Sequence, residues 1–259
     1  MSFTFEQLAA IYRVSIYLMR ADGQLDTVEV APFRCFLQSF EGFGQEQVDL
    51  VLNIAVNELS DERALQIIAL LGEDEKAEVS ALFAKVVVAD GEYTAKEQEM
   101  LEALIGACGL PVPVIPGYGD DKADPTFLIA RTNGTLGACF TSTNDWSEVG
   151  PALSEALGAD RLEVVRFTPR LNELTARLCL VNCHLVFLMD RNAAMRADAR
   201  DNMTGTILYG TGYEIMGDIA FALESDKGYE IKGIESISLV DDVFNMVNDA
   251  VGGLLRVEE

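Results

Sequence analysis

The chain has 259 residues, of which 49% are hydrophobic, and a formal net charge of −23 at pH 7. That length suits one large domain or two ordinary ones, and a field of that sign repels nucleic acid and anionic membranes while it favours cations and basic protein partners. No apolar run approaches the ~18 residues of a membrane span, no signal peptide is visible, and the five scattered cysteines are not typical of a disulfide framework, so we expect a cytoplasmic protein with no membrane insertion and no nucleic-acid partner.

The first 110 residues show helical periodicity throughout. Two capping boxes, Thr4 with Gln7 and Thr94 with Glu97, predict where the first and last helices begin. The helices predicted between them cover residues 27–40, 45–58, 60–71 and 75–89. This part of the chain is therefore predicted to be an all-helical domain.

A short phrase occurs twice in this segment, 68 residues apart. Each copy reads Ala-Asp-Gly and is followed, six residues after the glycine, by a glutamate. The acidic residues of the two copies are Asp22 with Glu29 and Asp90 with Glu97. Because each copy lies between two helical stretches, the phrase predicts a duplicated helix–turn–helix and a bundle with pseudo-two-fold symmetry.

The spacing of the phrase matches the second half of an EF-hand loop, where Gly and Glu occupy positions six and twelve. The oxygen ligands of the first half are missing, because Leu18 and Arg20 occupy their positions in the first copy. We therefore favour a turn formed by Asp-Gly and a glutamate that caps the following helix. A divalent cation or partner site formed by the acidic turns together is the alternative, and no other cofactor is expected.

These phrases resemble the TerB-like family, which includes tellurite-resistance TerB and the N-terminal type of DnaJ-like co-chaperones. The resemblance is carried by MRADGQLDTVEV and VVADGEYTAKEQEMLEALIGACGL and covers about residues 5–110. It implies an all-helical domain associated with stress or envelope complexes. It also implies acidic residues that meet metal ions or partners, here Asp22, Glu29, Asp90 and Glu97. This sequence departs from the pattern by placing Thr94 where the first copy has Asp26, which thins the acidic cluster of the second copy.

Residues 111–125 contain four prolines and two glycines, which predicts a linker between a helical domain, 1–110, and a second domain, 126–259. In the second domain, Asn133-Gly134 between two alternating stretches predicts a hairpin. Further strands are predicted over residues 161–167, 176–181, 185–189 and 219–223, and helices over residues 146–157, 193–206 and 240–255. The mixture predicts an α+β fold.

Part of this domain resembles a second family, a small uncharacterised domain of gut-bacterial and mobile-element proteins. LCLVNCHLVFLM, NMTGT and MGDIAFAL carry the resemblance, which covers roughly residues 160–225. In that family an Asn-x-x-(small)-Thr phrase precedes a Gly-Asp pair that enters a strand. The matching positions are Asn202, Thr206, Gly217 and Asp218. The resemblance implies no activity.

Clusters of reactive side chains are scarce. Cys179, Cys183 and His184 lie close in sequence, but a zinc site needs four converging ligands, so core or turn positions are favoured. The one histidine in the sequence also limits Ser-His-Asp or Cys-His catalysis to His184. Three arginines between residues 191 and 200 alternate with aspartates, which favours a solvated surface over a nucleic-acid site.

The sequence therefore favours a non-enzymatic acidic interaction or regulatory protein with a protein partner, and the TerB resemblance suggests a stress-related role. A cation-binding stress module that uses the four acidic residues of the repeat is one alternative. An enzyme with a site in the second domain is the other, which a cleft holding His184, or Asp218 beside Asn202, would favour.

Overall fold

The computed structural model describes residues 3–20, 30–38, 40, 43–90, 92–180, 182–226 and 228–258. The chain divides into two compact units, residues 1–116 and 117–259. In the described part of the chain, no helix is both long enough and apolar enough to cross a membrane.

The first unit is helical. Its described helices are α1 (Phe5–Met19), α2 (Ala31–Gln38), α3 (Gln45–Asn57), α4 (Asp61–Ala69), α5 (Glu73–Val87) and α6 (Ala95–Cys108). Both predicted capping boxes are confirmed, since the side chains of Thr4 and Gln7, and of Thr94 and Glu97, bond each other's backbone N–H groups. The helices surround one core, in which Phe33 and Phe83 are fully buried.

The second unit begins earlier than the predicted boundary at residue 126. A 3₁₀ turn, Gly119–Asp121, leads into the first strand at Lys122. The physical reason is Asp121, which is only 5% exposed and accepts hydrogen bonds from Gly117 N at 2.8 Å and from Ser236 Oγ at 2.6 Å. Its carboxylate thus fixes the second half of the predicted linker to the second unit.

The strands of the second unit form one mixed sheet. They are β1 (Lys122–Ala130), β2 (Thr135–Phe140), β3 (Leu162–Val165), β4 (Cys183–Asp190), β5 (Ile219–Ser225), β6 (Ile231–Lys232), β7 (Ile234–Ser236) and β8 (Arg256–Val257). Their order is β3-β4-β5-β1-β2-β8, with β6 beside β5 and β7 beside β1. Neighbouring strands are antiparallel apart from β2 and β8. The α+β prediction is confirmed, as is the hairpin of β1 and β2.

Helices cover both faces of this sheet. They are α7 (Trp146–Leu157), α8 (Pro169–Arg177), α9 (Met203–Tyr209) and α10 (Ile237–Ala250). Alternate residues of a strand point to opposite faces, so Phe127 and Ile129 pack with α7, while Leu128 and Ala130 join the core formed with α8, α9 and α10. The sheet is therefore the middle layer of three.

Two predicted elements of the second unit are wrong. The strand predicted over residues 176–181 overlaps the end of α8 and the turn that follows it. This helix begins because Thr168 caps it through Leu171 N and Pro169 occupies its first turn. The helix predicted over residues 193–206 is a 3₁₀ turn at Ala193–Met195 and, after a loop, α9. Asn202 caps α9, so that helix begins only at residue 203.

Candidate functional site

The first candidates are the acidic residues of the repeated phrase, of which the structure describes those of the second copy. Asp22 and Glu29 lie outside the described residues. Asp90 is exposed and its Oδ1 accepts a hydrogen bond from Glu92 N at 2.9 Å, which closes the turn. Glu97 is only 4% exposed, and its Oε2 accepts from Thr94 N at 2.7 Å. The capping interpretation of Glu97 is confirmed.

Because Glu97 caps α6, we expect its substitution to lower the stability of the helical unit. We expect Glu97→Ala to lower the free energy of unfolding of the helical unit by about 1 kcal/mol, because Thr94 N loses its acceptor. Glu97→Gln keeps an acceptor oxygen and should cost less. Thermal unfolding followed by helical circular dichroism measures both, with Glu99→Ala, exposed on the same helix, as the control. An equal cost for the alanine and glutamine variants would contradict the capping role.

The second set of candidates fastens α9 to the sheet. Asn202 is fully buried; its Nδ2 donates to Ala130 O at 2.8 Å and its Oδ1 accepts from Gly205 N at 2.9 Å. Thr206 accepts from Ile215 N at 2.9 Å. Both side chains are thus engaged by backbone groups.

The Gly-Asp pair holds the start of β5. Asp218 accepts from Thr132 N at 2.8 Å and from Arg131 Nη1 at 3.0 Å. Gly217 has φ +79°, and a Cβ there would lie 3.2 Å from Ala193 Cβ, so this position favours glycine. Together with Asn202, the pair ties the chain before β5 to the end of β1.

A shallow cleft of about 160 Å³ lies beside this pair, lined in part by Thr132, Arg196 and Asp218. Arg196 is already engaged, since it donates to Gly158 O at 2.6 Å and pairs with Asp190. Of the arrangement that would favour an enzyme, a cleft with Asp218 is present, but neither Asn202 nor His184 lines it.

A charged cluster that the sequence did not predict lies at the other end of β5. Glu224 is fully buried and accepts from Arg166 Nε at 2.7 Å with each carboxylate oxygen. The two ring nitrogens of His184 lie 2.9 Å from Glu224 Oε2 and 3.0 Å from Asp226 Oδ1. Both contacts are hydrogen bonds when the ring is protonated, because both nitrogens then donate.

The electrostatics of this cluster favour the ionised carboxylate. Burial raises the pKa of Glu224, but the hydrogen bonds from Arg166 and His184 outweigh burial and hold that pKa below its ordinary value. Burial also raises the pKa of the neighbouring Cys183 thiol to about 11, so the thiol is protonated and unreactive at neutral pH. In the ranges described, no three His, Cys, Asp or Glu side chains are grouped so that they could hold a metal ion.

Comparisons with known proteins bear on the first unit. Residues 7–112 match the family model described as Tellurite resistance protein TerB. The chain is similar to a protein of unknown function from Porphyromonas gingivalis W83, whose crystal structure is known. The two sequences are 28% identical over 44% of this chain and 91% of that chain, and the TM-score is 0.40. No curated protein matches the chain.

The family match and the helical unit coincide. The matched residues include both copies of the repeated phrase and extend from α1 to just beyond α6. The resemblance of residues 160–225 to the uncharacterised family stays a prediction. Residues 7–112 of this chain are therefore a TerB-like domain.

Proposed function

We propose that the chain is a non-enzymatic cytoplasmic interaction protein whose acidic surface binds a basic protein partner, in a stress-related role suggested by its TerB-like domain. The observation that carries the proposal is the excess of 42 acidic over 19 basic side chains. Several of the basic residues are already paired within the fold, among them Arg13 with Asp61 and Arg196 with Asp190. The remaining carboxylates favour a partner of opposite charge.

Some of the acidic side chains cap helices, and others make no contact within the described structure that stabilises the fold. Glu75 on α5 accepts from Gly72 N at 2.9 Å, and Glu97 on α6 caps its helix. By contrast, Glu78 on α5 and Glu99 on α6 are exposed, and neither side chain makes a hydrogen bond or ion pair to another described residue. We propose that carboxylates of this second kind attract the partner.

Affinity enrichment with the full chain, from a lysate of the organism that makes it, tests this proposal. We expect specific partners with basic surfaces to be retained at 0.1 M salt and largely released at 1 M salt, because the screening length falls from about 10 Å to about 3 Å. Partners that stay bound at 1 M salt, or measurable turnover of a substrate by the chain alone, would contradict it.

A cation-binding module is the second candidate, favoured by the exposed carboxylate of Asp90 in the second acidic turn. Calorimetric titration of the full chain with Ca²⁺, Mg²⁺ and Zn²⁺ tests it. This role requires binding below millimolar concentration that Asp90→Asn and Glu29→Gln weaken. Binding that is weaker, or unchanged in both variants, would exclude it.

A further inference from the structure

Bulky residues hold an unfavourable backbone conformation at one end of the sheet. Among the described residues, positive φ angles of 55–56° occur at four non-glycine positions: Phe167, Cys179, Asn182 and Tyr229. Asparagine adopts this region comparatively often, but for the aromatic residues Phe167 and Tyr229 it is a genuine outlier that glycine would occupy without strain. Phe167 and Tyr229 are nevertheless 58% and 66% exposed, so burial of their rings does not explain why these residue types stand there.

The strand register places these positions together. β3 ends at Val165, β4 begins at Cys183 and β5 ends at Ser225, with Cys183 opposite Ser225. β3 and β5 both run antiparallel to β4. The residues just after β3, just before β4 and just after β5 therefore share one end of three adjacent strands. Strained residues concentrated in one place are typical of functional sites.

The charged cluster of Arg166, His184, Glu224 and Asp226 contacts this end of the sheet through Phe167. The ring centroid of Phe167 lies 4.8 Å from that of His184, and His184 is held by Glu224 and Asp226. Glu224 in turn holds Arg166, the residue before Phe167. The aromatic ring is thus backed by a fixed imidazole. The Asp226 side chain is 58% exposed, which leaves a carboxylate open to solvent beside it.

We propose that this end of the sheet is where the basic partner docks, with an arginine or lysine side chain of the partner against the aromatic faces of Phe167 and Tyr229 and paired with Asp226. Aromatic faces attract cations and a nearby carboxylate adds charge complementarity. Exposed aromatic residues on a rigid support are also the usual anchors of protein interfaces. This inference rests on the proposed function, because it assigns the contact surface of the same partner.

Amide-resolved NMR of the full chain tests the assignment, with N-acetyl-arginine amide as the probe and N-acetyl-glutamine amide as its neutral control. We expect the arginine probe alone to shift the amide signals of Phe167, Asp226 and Tyr229 in a saturable way. Phe167→Gly and Asp226→Asn should each weaken binding about threefold or more. Phe167→Gly stays folded because glycine adopts this φ freely.

Tyr213→Ala is the matched control, because Tyr213 is an aromatic residue that is 60% exposed and precedes β5, at the opposite end of the sheet. It should leave binding of the probe unchanged. Shifts confined to the acidic helices α5 and α6 would overturn this inference and leave the proposed function standing. No arginine-dependent shift anywhere would contradict both. Equal shifts with the neutral probe, or an equal loss in Tyr213→Ala, would also overturn the inference.

Discussion

Replacing Glu224 with glutamine is expected to lower the free energy of unfolding of the second unit by about 2–4 kcal/mol. The side chain is fully buried, and its loss of charge leaves the guanidinium of Arg166 without its buried counter-charge and gives His184 a neutral partner in place of a carboxylate. Partial exposure of Arg166, 36% of its side chain, keeps the cost below that of a fully buried pair. Denaturant unfolding followed by the fluorescence of Trp146, the only tryptophan in the sequence, reports on this unit.

Glu163→Gln is the matched control, because Glu163 is an exposed glutamate on β3 whose partner Arg191 is 3.8 Å away. It should cost less than about 0.5 kcal/mol. The effect of Glu224→Gln should also depend on pH. The pKa of Glu224 is lowered in the fold, so its contribution is complete above about pH 4.3, the ordinary glutamate value, and disappears as the pH falls through the folded value. A difference between wild type and variant that stays constant into acid would contradict the ion-pair account.

Asn202→Ala is expected to destabilise the second unit by a similar amount, about 2–4 kcal/mol. The variant loses the cap of α9, worth about 1 kcal/mol, and leaves the buried carbonyl of Ala130 without its donor, which costs about 1–3 kcal/mol more. The same fluorescence-detected unfolding measures the change. Asp145→Ala is its control, since Asp145 caps α7 through Ser147 N from an exposed position and should cost only about 1 kcal/mol. Equal costs would show that the contact with Ala130 contributes nothing.

Local signals account for the parts of the fold that the sequence predicts well. A capping box is complete within four residues, so Thr94 and Glu97 predict the start of α6 without knowledge of the core. Asn133-Gly134 specifies the hairpin of β1 and β2 in the same way. The repeated phrase likewise identifies the TerB-like domain, because its two copies recur in the sequence at a separation of 68 residues.

Non-local contacts account for what the sequence does not predict. The apolar residues among 176–181 favour a strand when taken alone. Upstream, however, Thr168 and Pro169 begin a helix whose Leu171 and Leu174 are buried. The charged cluster is even harder to predict from the sequence. Arg166 and Glu224 are 58 residues apart and His184 and Asp226 are 42 apart, so only the strand order brings them together. His184 stands out as the one histidine of the sequence, but no local pattern marks the other three.

Partner retention by two variants of the full chain tests the central claim most directly, namely that the buried carboxylate of Glu97 stabilises the fold while exposed carboxylates bind the partner. The affinity for the enriched basic partner should be unchanged in Glu97→Gln, which keeps the helix cap. It should fall severalfold in the double variant Glu78→Gln/Glu99→Gln, which removes two exposed charges from α5 and α6 and leaves the folded structure intact. Loss of the partner in Glu97→Gln, together with full retention in the double variant, would contradict the account.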